Sequence, residues 1–407
     1  MSSGASPYGE WVEPGDVSAV PEQLRGERAF APSSLPADIV LSTAAHRELA
    51  NAEHAVGRVD EAVHRLPDRE MFVLCTRFRE VRSSAELVGV DASMLETWLV
   101  DLMLTRAAEG VGDPEEVVLD RNPVGRFILA SRYGADRLAA GAAIDLELLG
   151  AVSARLTGRG PRSLEDGLRA YQGWLGPTPD QAYVLTMPPG ERLGRALAEW
   201  SAWVGRPHPL SRVGRIALGH LHLELLQPYP EANGHLARIY SSLAMVRSGL
   251  VRAQVLPLAS WPAARGKGYH ARIRAVVEGG PVEEWITFYA DGVRTQAEEQ
   301  LRLMDDMGRL RQVLLERAGG SPAVQRVVAG LVTAPVTSNR GLEAAYGFSD
   351  YTASQVTRHL VGKGILEVVD DKSYNKVFVC HEVLDLFTVQ RPPAPETDEN
   401  LFDPPPD

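Results

Sequence analysis

The residues best suited to chemistry lie in one run of twelve: Gln227-Pro228-Tyr229-Pro230-Glu231-Ala232-Asn233-Gly234-His235-Leu236-Ala237-Arg238. An Asn-Gly pair at the start of a helix leaves backbone N–H groups without intrahelical acceptors, and the positive end of the helix dipole reinforces them. Gly234 has no Cβ to hold an anion away. Arg238 follows four residues later, about one helical turn along, with a guanidinium fork suited to two phosphate oxygens. Glu231 is placed to share a magnesium ion with those phosphates. The run therefore reads as a phosphate site, the plainer alternative being a proline-broken loop between two core helices. At its entrance stands Gln227, whose amide has no proton acceptor that titrates near neutral pH.

The elements around this run are mostly helical. Leu49, Ala52, Ala55, Val56, Val59, Ala62, Val63 and Leu66 recur at helical spacing within a block from Leu41 to Thr105 that Pro67 and Asp68 break. A second block spans about Ala130 to Leu156. Gly and Pro interrupt Gly158 to Pro188, which favours loops and a hairpin. Helical periodicity returns over Arg192–Trp203, Leu210–Leu226, a helix starting near Asn233, Gly268–Val277 and Val282–Met307. Strand signals are scarce before residue 360. Three short helices follow at Ala323–Leu331, Arg340–Tyr346 and Tyr351–Lys363, with Asp350 as a candidate N-cap. Two strands, Gly364–Val369 and Lys376–Cys380, flank a polar turn at Asp370–Asn375. Three helices and a hairpin in that order predict a winged helix-turn-helix.

The 407 residues are too many for one small core, and the formal charge of −11 argues against a polyanion binder along the whole chain. Cys75 and Cys380 lack metal-ligand spacing, which excludes a disulfide framework or a structural zinc site from the reading. No stretch reads as a signal peptide or a membrane span, so a cytoplasmic protein without a membrane partner is expected.

The run at 227–238 resembles the signature of the Fic (Fido) family, His-Pro-Phe-x-(Asp/Glu)-Gly-Asn-Gly-Arg-x-x-Arg. Pro228, Glu231, Asn233, Gly234 and Arg238 match it; Gln227 stands at the catalytic histidine, Tyr229 at Phe, Ala232 at the first Gly and His235 at the first Arg. Flanking segments carry the resemblance further: Gly167–Gly176, with Arg169 and Trp174; Tyr183–Pro189; His208-Pro209-Leu210; and Trp285-Ile286-Thr287-Phe288. The resemblance implies a mainly α protein with a Fic-type helical core, an N-terminal helical domain and a C-terminal winged helix. The expected divisions are an extended arm at 1–36, an N-terminal domain at 37–125, the core at 126–307, the winged helix at 318–390 and a disordered tail at 391–407.

By the same resemblance, Asn233, Gly234 and Arg238 would hold ATP, Glu231 would hold Mg2+, and the missing histidine would have activated a target hydroxyl for AMP transfer. Loss of a general base costs about 10²–10⁴-fold, so conventional transfer should be weak or absent, with His235 the alternative base. Many such proteins carry an inhibitory helix whose glutamate pairs with the last arginine of the motif. The matching segment here is Arg82–Gly89; Leu87 and Val88 lie four residues after Ser83 and Ser84, and Glu86 is about 100° off the required face. The inhibitory glutamate is absent.

Three readings follow. One is a degenerate Fic protein that retains nucleotide or phosphate binding, with a possible protein target. The second is an enzyme whose pocket serves a small molecule. The third is a regulator whose winged helix contacts DNA through Thr352, Gln355 and Arg358. That helix has no basic stripe, since Glu367, Asp370 and Asp371 line the wing, so protein contact is as good an expectation. The acidic helical N-terminal region leaves room for a homodimer.

Overall fold

A computed structural model describes residues 6–66, 68–87, 89–108, 123–158, 167–176, 178–261, 267–369 and 376–388. Val88, the turn at 370–375 and the tail at 391–407 lie outside these residues.

The centre of the molecule is an antiparallel pair, α7 (Arg212–Leu226) and α8 (Asn233–Arg247), joined by the loop that carries the chemical run. The sequence of α7 is apolar around most of its circumference, as suits a helix surrounded on all sides, and every residue from Ile216 to Leu226 is buried. Gly219 sets the closeness of the pair: a Cβ there would lie 2.1 Å from the Tyr240 hydroxyl. Ser211 opens α7, its hydroxyl accepting from the Gly214 N–H.

The other helices before the C-terminal unit pack on this pair or on its neighbours. They are α1 (Thr43–His64), α2 (Arg69–Glu86), α3 (Met94–Ala108), α4 (Pro123–Ala139), α5 (Leu146–Thr157), α6 (Glu191–Val204), α9 (Lys267–Val277) and α10 (Val282–Ala318). Of the break expected at Pro67 and Asp68, Asp68 lies between α1 and α2, and Pro67 lies outside the described residues. Ser42 caps α1 and also hydrogen-bonds Glu283, so α1 starts beside the start of α10 and runs along it. A buried Arg79–Glu299 ion pair at 2.5 Å, with Gln300 as a second acceptor, fastens α2 to α10. Helix α10 does not stop at Met307. Leu314 and Ala318 continue its buried face, so the boundary expected between 307 and 318 lies inside one 37-residue helix.

Strands also appear where the sequence shows little sign of them. β1 (Gly9–Val12), β2 (Ala29–Pro32), β3 (Trp174–Leu175) and β4 (Val184–Leu185) form one sheet in the order β1-β2-β4-β3. The hairpin expected within Gly158 to Pro188 is β3–β4. Residues 6–36 are not a free extended arm, because β2 pairs parallel with β4 at Ala29↔Leu185, about 150 residues away. Val20, Leu24, Ala29 and Leu185 close a small satellite core beneath it. A pairing so distant leaves no local pattern to read.

The C-terminal unit contains α11 (Pro322–Leu331), β5 (Val336–Ser338), α12 (Asn339–Tyr346), α13 (Asp350–Gly362), β6 (Glu367–Val368), β7 (Val377–Val379) and α14 (His381–Thr388). The antiparallel sheet runs β5-β7-β6, with β5 and α14 additions to the expected elements. Ser349, not Asp350, caps α13, accepting from the Thr352 N–H. This unit packs on α2, α3 and α10, and the buried Cys75 thiol donates to the Thr333 carbonyl across the junction. Among the described residues no helix is long and apolar enough to cross a membrane.

Candidate functional site

The site is built on a strained turn. Helix α7 ends at Gln227 in the left-handed region (φ 45°), its N–H still bonded to the Leu223 carbonyl. Ala232, at φ 62°, makes a second left-handed step into α8. Such steps cost a residue with a Cβ roughly 1–2 kcal/mol, so surrounding contacts must impose them. Asn233 supplies one: its Oδ1 accepts from the Tyr229 N–H at 2.9 Å and its Nδ2 donates to the Tyr229 carbonyl at 2.7 Å. Tyr171 supplies another through the Pro230 carbonyl. Arg169 supplies most. Buried, and with no carboxylate partner among the described residues, it donates to the carbonyls of Tyr171, Met187, Leu226 and Gln227, while its own N–H reaches the Pro228 carbonyl.

Between this turn and its surroundings lies a cavity of about 330 Å³, bordered by Arg169, Tyr171, Glu224, Gln227, Arg238 and Tyr269 among others. Gly234 and His235 open onto it from the first turn of α8, whose N–H groups lack intrahelical acceptors. A Cβ on Gly234 would lie 3.2 Å from the Arg238 Nη1 and 3.4 Å from the Glu224 Oε1, so the bare glycine keeps this corner open.

On the far side of Arg238 stands the end of α2. Arg238 Nε donates to the Ser84 hydroxyl at 3.0 Å, and both Ser84 (2.5 Å) and Arg238 Nη2 (3.1 Å) contact His235 Nδ1. Arg238 can only donate, so His235 Nδ1 is the acceptor and the ring is neutral with its proton on Nε2. Burial, then the Arg238 charge, hold this histidine well below its usual range. Phe127 covers its ring at 4.0 Å between centroids. His235 thus braces Arg238, and the geometry does not favour it as a substitute base.

Ser83 pairs with Ser260, Glu86 is exposed to solvent, and Leu87 borders the cavity. The segment expected to resemble an inhibitory helix therefore does reach the motif, but it presents a hydroxyl to Arg238 and a leucine to the pocket. Behind it, Glu80 accepts from the Ala259 N–H at 2.6 Å; burial pushes its carboxyl up to about 7, against the pull of Arg238 and Arg79.

Two functional-looking groups were not singled out from sequence. Glu224 and Tyr269 meet at 2.8 Å on the cavity wall, and the Gln227 amide donates to the other Glu224 oxygen at 3.2 Å. Tyr269 is also 2.6 Å from His220 Nε2. The only sequence signal for Glu224 is a carboxylate inside an otherwise apolar helix. Tyr269 is about 40 residues away and gives none.

Glu231 sits exposed at the rim. Among the described residues no three His, Cys, Asp or Glu side chains cluster as a metal cage. A magnesium ion held by Glu231 would therefore complete its shell with ligand phosphates and water, an arrangement magnesium commonly adopts. In the C-terminal unit Gln355 and Arg358 are exposed on one face of α13, whereas Thr352 joins the Ser349 cap and Ser354 turns inward to Asn339.

The fold is similar to that of a Fic family protein from Desulfovibrio desulfuricans G20, with a TM-score of 0.51 at 15% identity over 84% of this chain and 97% of that one. A fragment of Fic-1 from C. elegans matches with a TM-score of 0.46 at 15% identity, over 64% of this chain and 74% of that one. No family model matches the sequence. The chain is a mainly helical protein with the Fic fold.

Proposed function

We propose that the pocket binds a nucleotide or a related phosphate compound and carries little conventional AMP transfer. The supporting observation is the corner where the first turn of α8, the bare Gly234 and the braced Arg238 guanidinium meet at the cavity. N–H donors there would take phosphate oxygens, and Arg238 would add the neutralising charge. Glu231 at the rim would share Mg2+, which would neutralise phosphate charge when bound. Gln227, spent on Glu224, contributes an amide where a base is needed.

Calorimetric titration with ATP and Mg2+ tests the reading. Wild type should bind, Arg238→Ala should weaken binding at least tenfold, and equal behaviour of the two would reject the site. Gln227→His should raise label transfer from ATP to protein, if only the base is missing. For the C-terminal unit, the acidic wing residue Glu367 and an α13 that contributes only Arg358, with Lys363 just beyond it, favour a protein contact over DNA. A salt-sensitive shift of promoter DNA would reverse that preference.

A further inference from the structure

The line Glu224–Tyr269–His220 has no assigned task, yet its proton count is constrained. His220 is fully buried and pushed down to about 3 by burial and then by Arg238, so its ring is neutral. Its Nδ1 lies 3.0 Å from the Ala237 carbonyl, which only accepts, and 2.8 Å from the Ser241 hydroxyl, which itself donates to that carbonyl. The His220 proton is therefore on Nδ1, and Nε2 is an acceptor facing the Tyr269 oxygen.

The Tyr269 phenol has one proton and two neighbours. With Glu224 ionised, the phenol donates to its Oε1. With Glu224 protonated, the carboxyl donates to the phenol oxygen and the phenol turns its O–H to His220 Nε2. Both protonation states of Glu224 thus find hydrogen-bond partners without any heavy atom moving, an uncommon provision for a buried carboxyl. Gln227 Nε2 holds Oε2 in either state.

We propose that Glu224 is the proton acceptor of this pocket, standing in for the histidine that Gln227 replaces, with Tyr269 and His220 as positioning residues. The inference deepens the nucleotide reading and rests on it. Burial raises the Glu224 carboxyl, while Arg238, Tyr269 and Gln227 pull it down. The neighbouring Tyr183 is un-ionised, its phenol raised chiefly by burial. Glu224 is 3% exposed and lies on the wall behind Gln227, so the nucleophile it serves is small, a water or a slim hydroxyl compound rather than a protein side chain. With ATP bound, the oxygen of water forms a bond to the α-phosphorus. The bridging P–O bond breaks, pyrophosphate leaves with the bonding pair, and the water proton passes to the Glu224 carboxylate. The products are AMP and pyrophosphate.

The test uses the full chain with ATP and Mg2+, comparing wild type, Glu224→Gln and Tyr269→Phe. Calorimetry in two buffers of different ionisation enthalpy reads affinity and protons exchanged on binding, and AMP release reads turnover from pH 5 to 9. Wild type should take up protons on binding within that pH range, as the phosphates raise Glu224, and release AMP with a rate that climbs through one ionisation. Glu224→Gln should bind within about threefold of wild type, take up fewer protons and lose about 10²–10⁴-fold in turnover. Tyr269→Phe, which removes the donor to the carboxylate, should move the inflection to higher pH. ATP binding with unchanged turnover and proton uptake in Glu224→Gln overturns the role of Glu224 alone, as does bound ATP that wild type never cleaves. No ATP binding by wild type overturns both this inference and the nucleotide reading.

Discussion

Replacing Arg169 tests whether the strained turn at Gln227 is imposed by its surroundings. Arg169 donates to four carbonyls, three of them on the segments that meet at the turn and its neighbouring strand. A hydrogen bond from a charged donor is worth about 1.5–3 kcal/mol, so even the low end gives roughly 6 kcal/mol. Against this stands the cost of burying the cation. Burial pulls the Arg169 guanidinium down to about 10, which corresponds to roughly 3 kcal/mol. The difference leaves a net stabilisation of about 3 kcal/mol, concentrated on the turn.

Arg169→Ala should therefore lower the melting temperature by several degrees. It should also reduce hydrogen-exchange protection across residues 226–233 by about 100-fold, since each tenfold is 1.4 kcal/mol. Arg169→Lys should lie between, because an ammonium cannot span four acceptors that a planar fork reaches. If Arg169→Ala melts within a degree of wild type and its 226–233 amides stay as protected, the turn holds itself and the argument fails.

Three further outcomes can be measured on the same protein. Glu80, pushed up to about 7 by burial against an unfolded value of 4.5, contributes stability that is complete below pH 4.5 and lost as pH rises through 7. Glu80→Gln should thus be stabilised relative to wild type at pH 8 by about 3 kcal/mol more than at pH 4.5, and urea denaturation showing the same difference at both pH values would refute this. Ala232→Gly relieves a left-handed alanine at roughly 1–2 kcal/mol while adding about 0.5–1 kcal/mol of chain entropy, so denaturant titration should find it neutral to about 1.5 kcal/mol more stable. Gly219→Ala places a methyl 2.1 Å from the Tyr240 hydroxyl and should destabilise by about 1–3 kcal/mol, with tenths recovered in Gly219→Ala/Tyr240→Phe if the clash is the cause.

The sequence by itself determined most of the helices. Helical spacing over 43–64, 69–86 and 191–226 and the Asn233-Gly234 start of α8 are local features, and local backbone preference with one-sided burial is enough to specify them. That Gln227 and Leu87 stand where the family resemblance expects a histidine and a glutamate was equally plain, because residue identity needs no coordinates. Tertiary structure alone decided what stands in those places. Ser84 reaches Arg238 from 154 residues away, Arg169 gathers carbonyls 57 and 58 residues distant, and Tyr269 meets Glu224 across 45. Side-chain partners at such separations are selected by how α2, α8 and α9 pack, and packing leaves no periodic trace in the chain. The sheet that captures β1 and β2 is hidden for the same reason, and so is the meaning of Glu224, a charged residue in an apolar helix until its neighbours supply a second home for its proton.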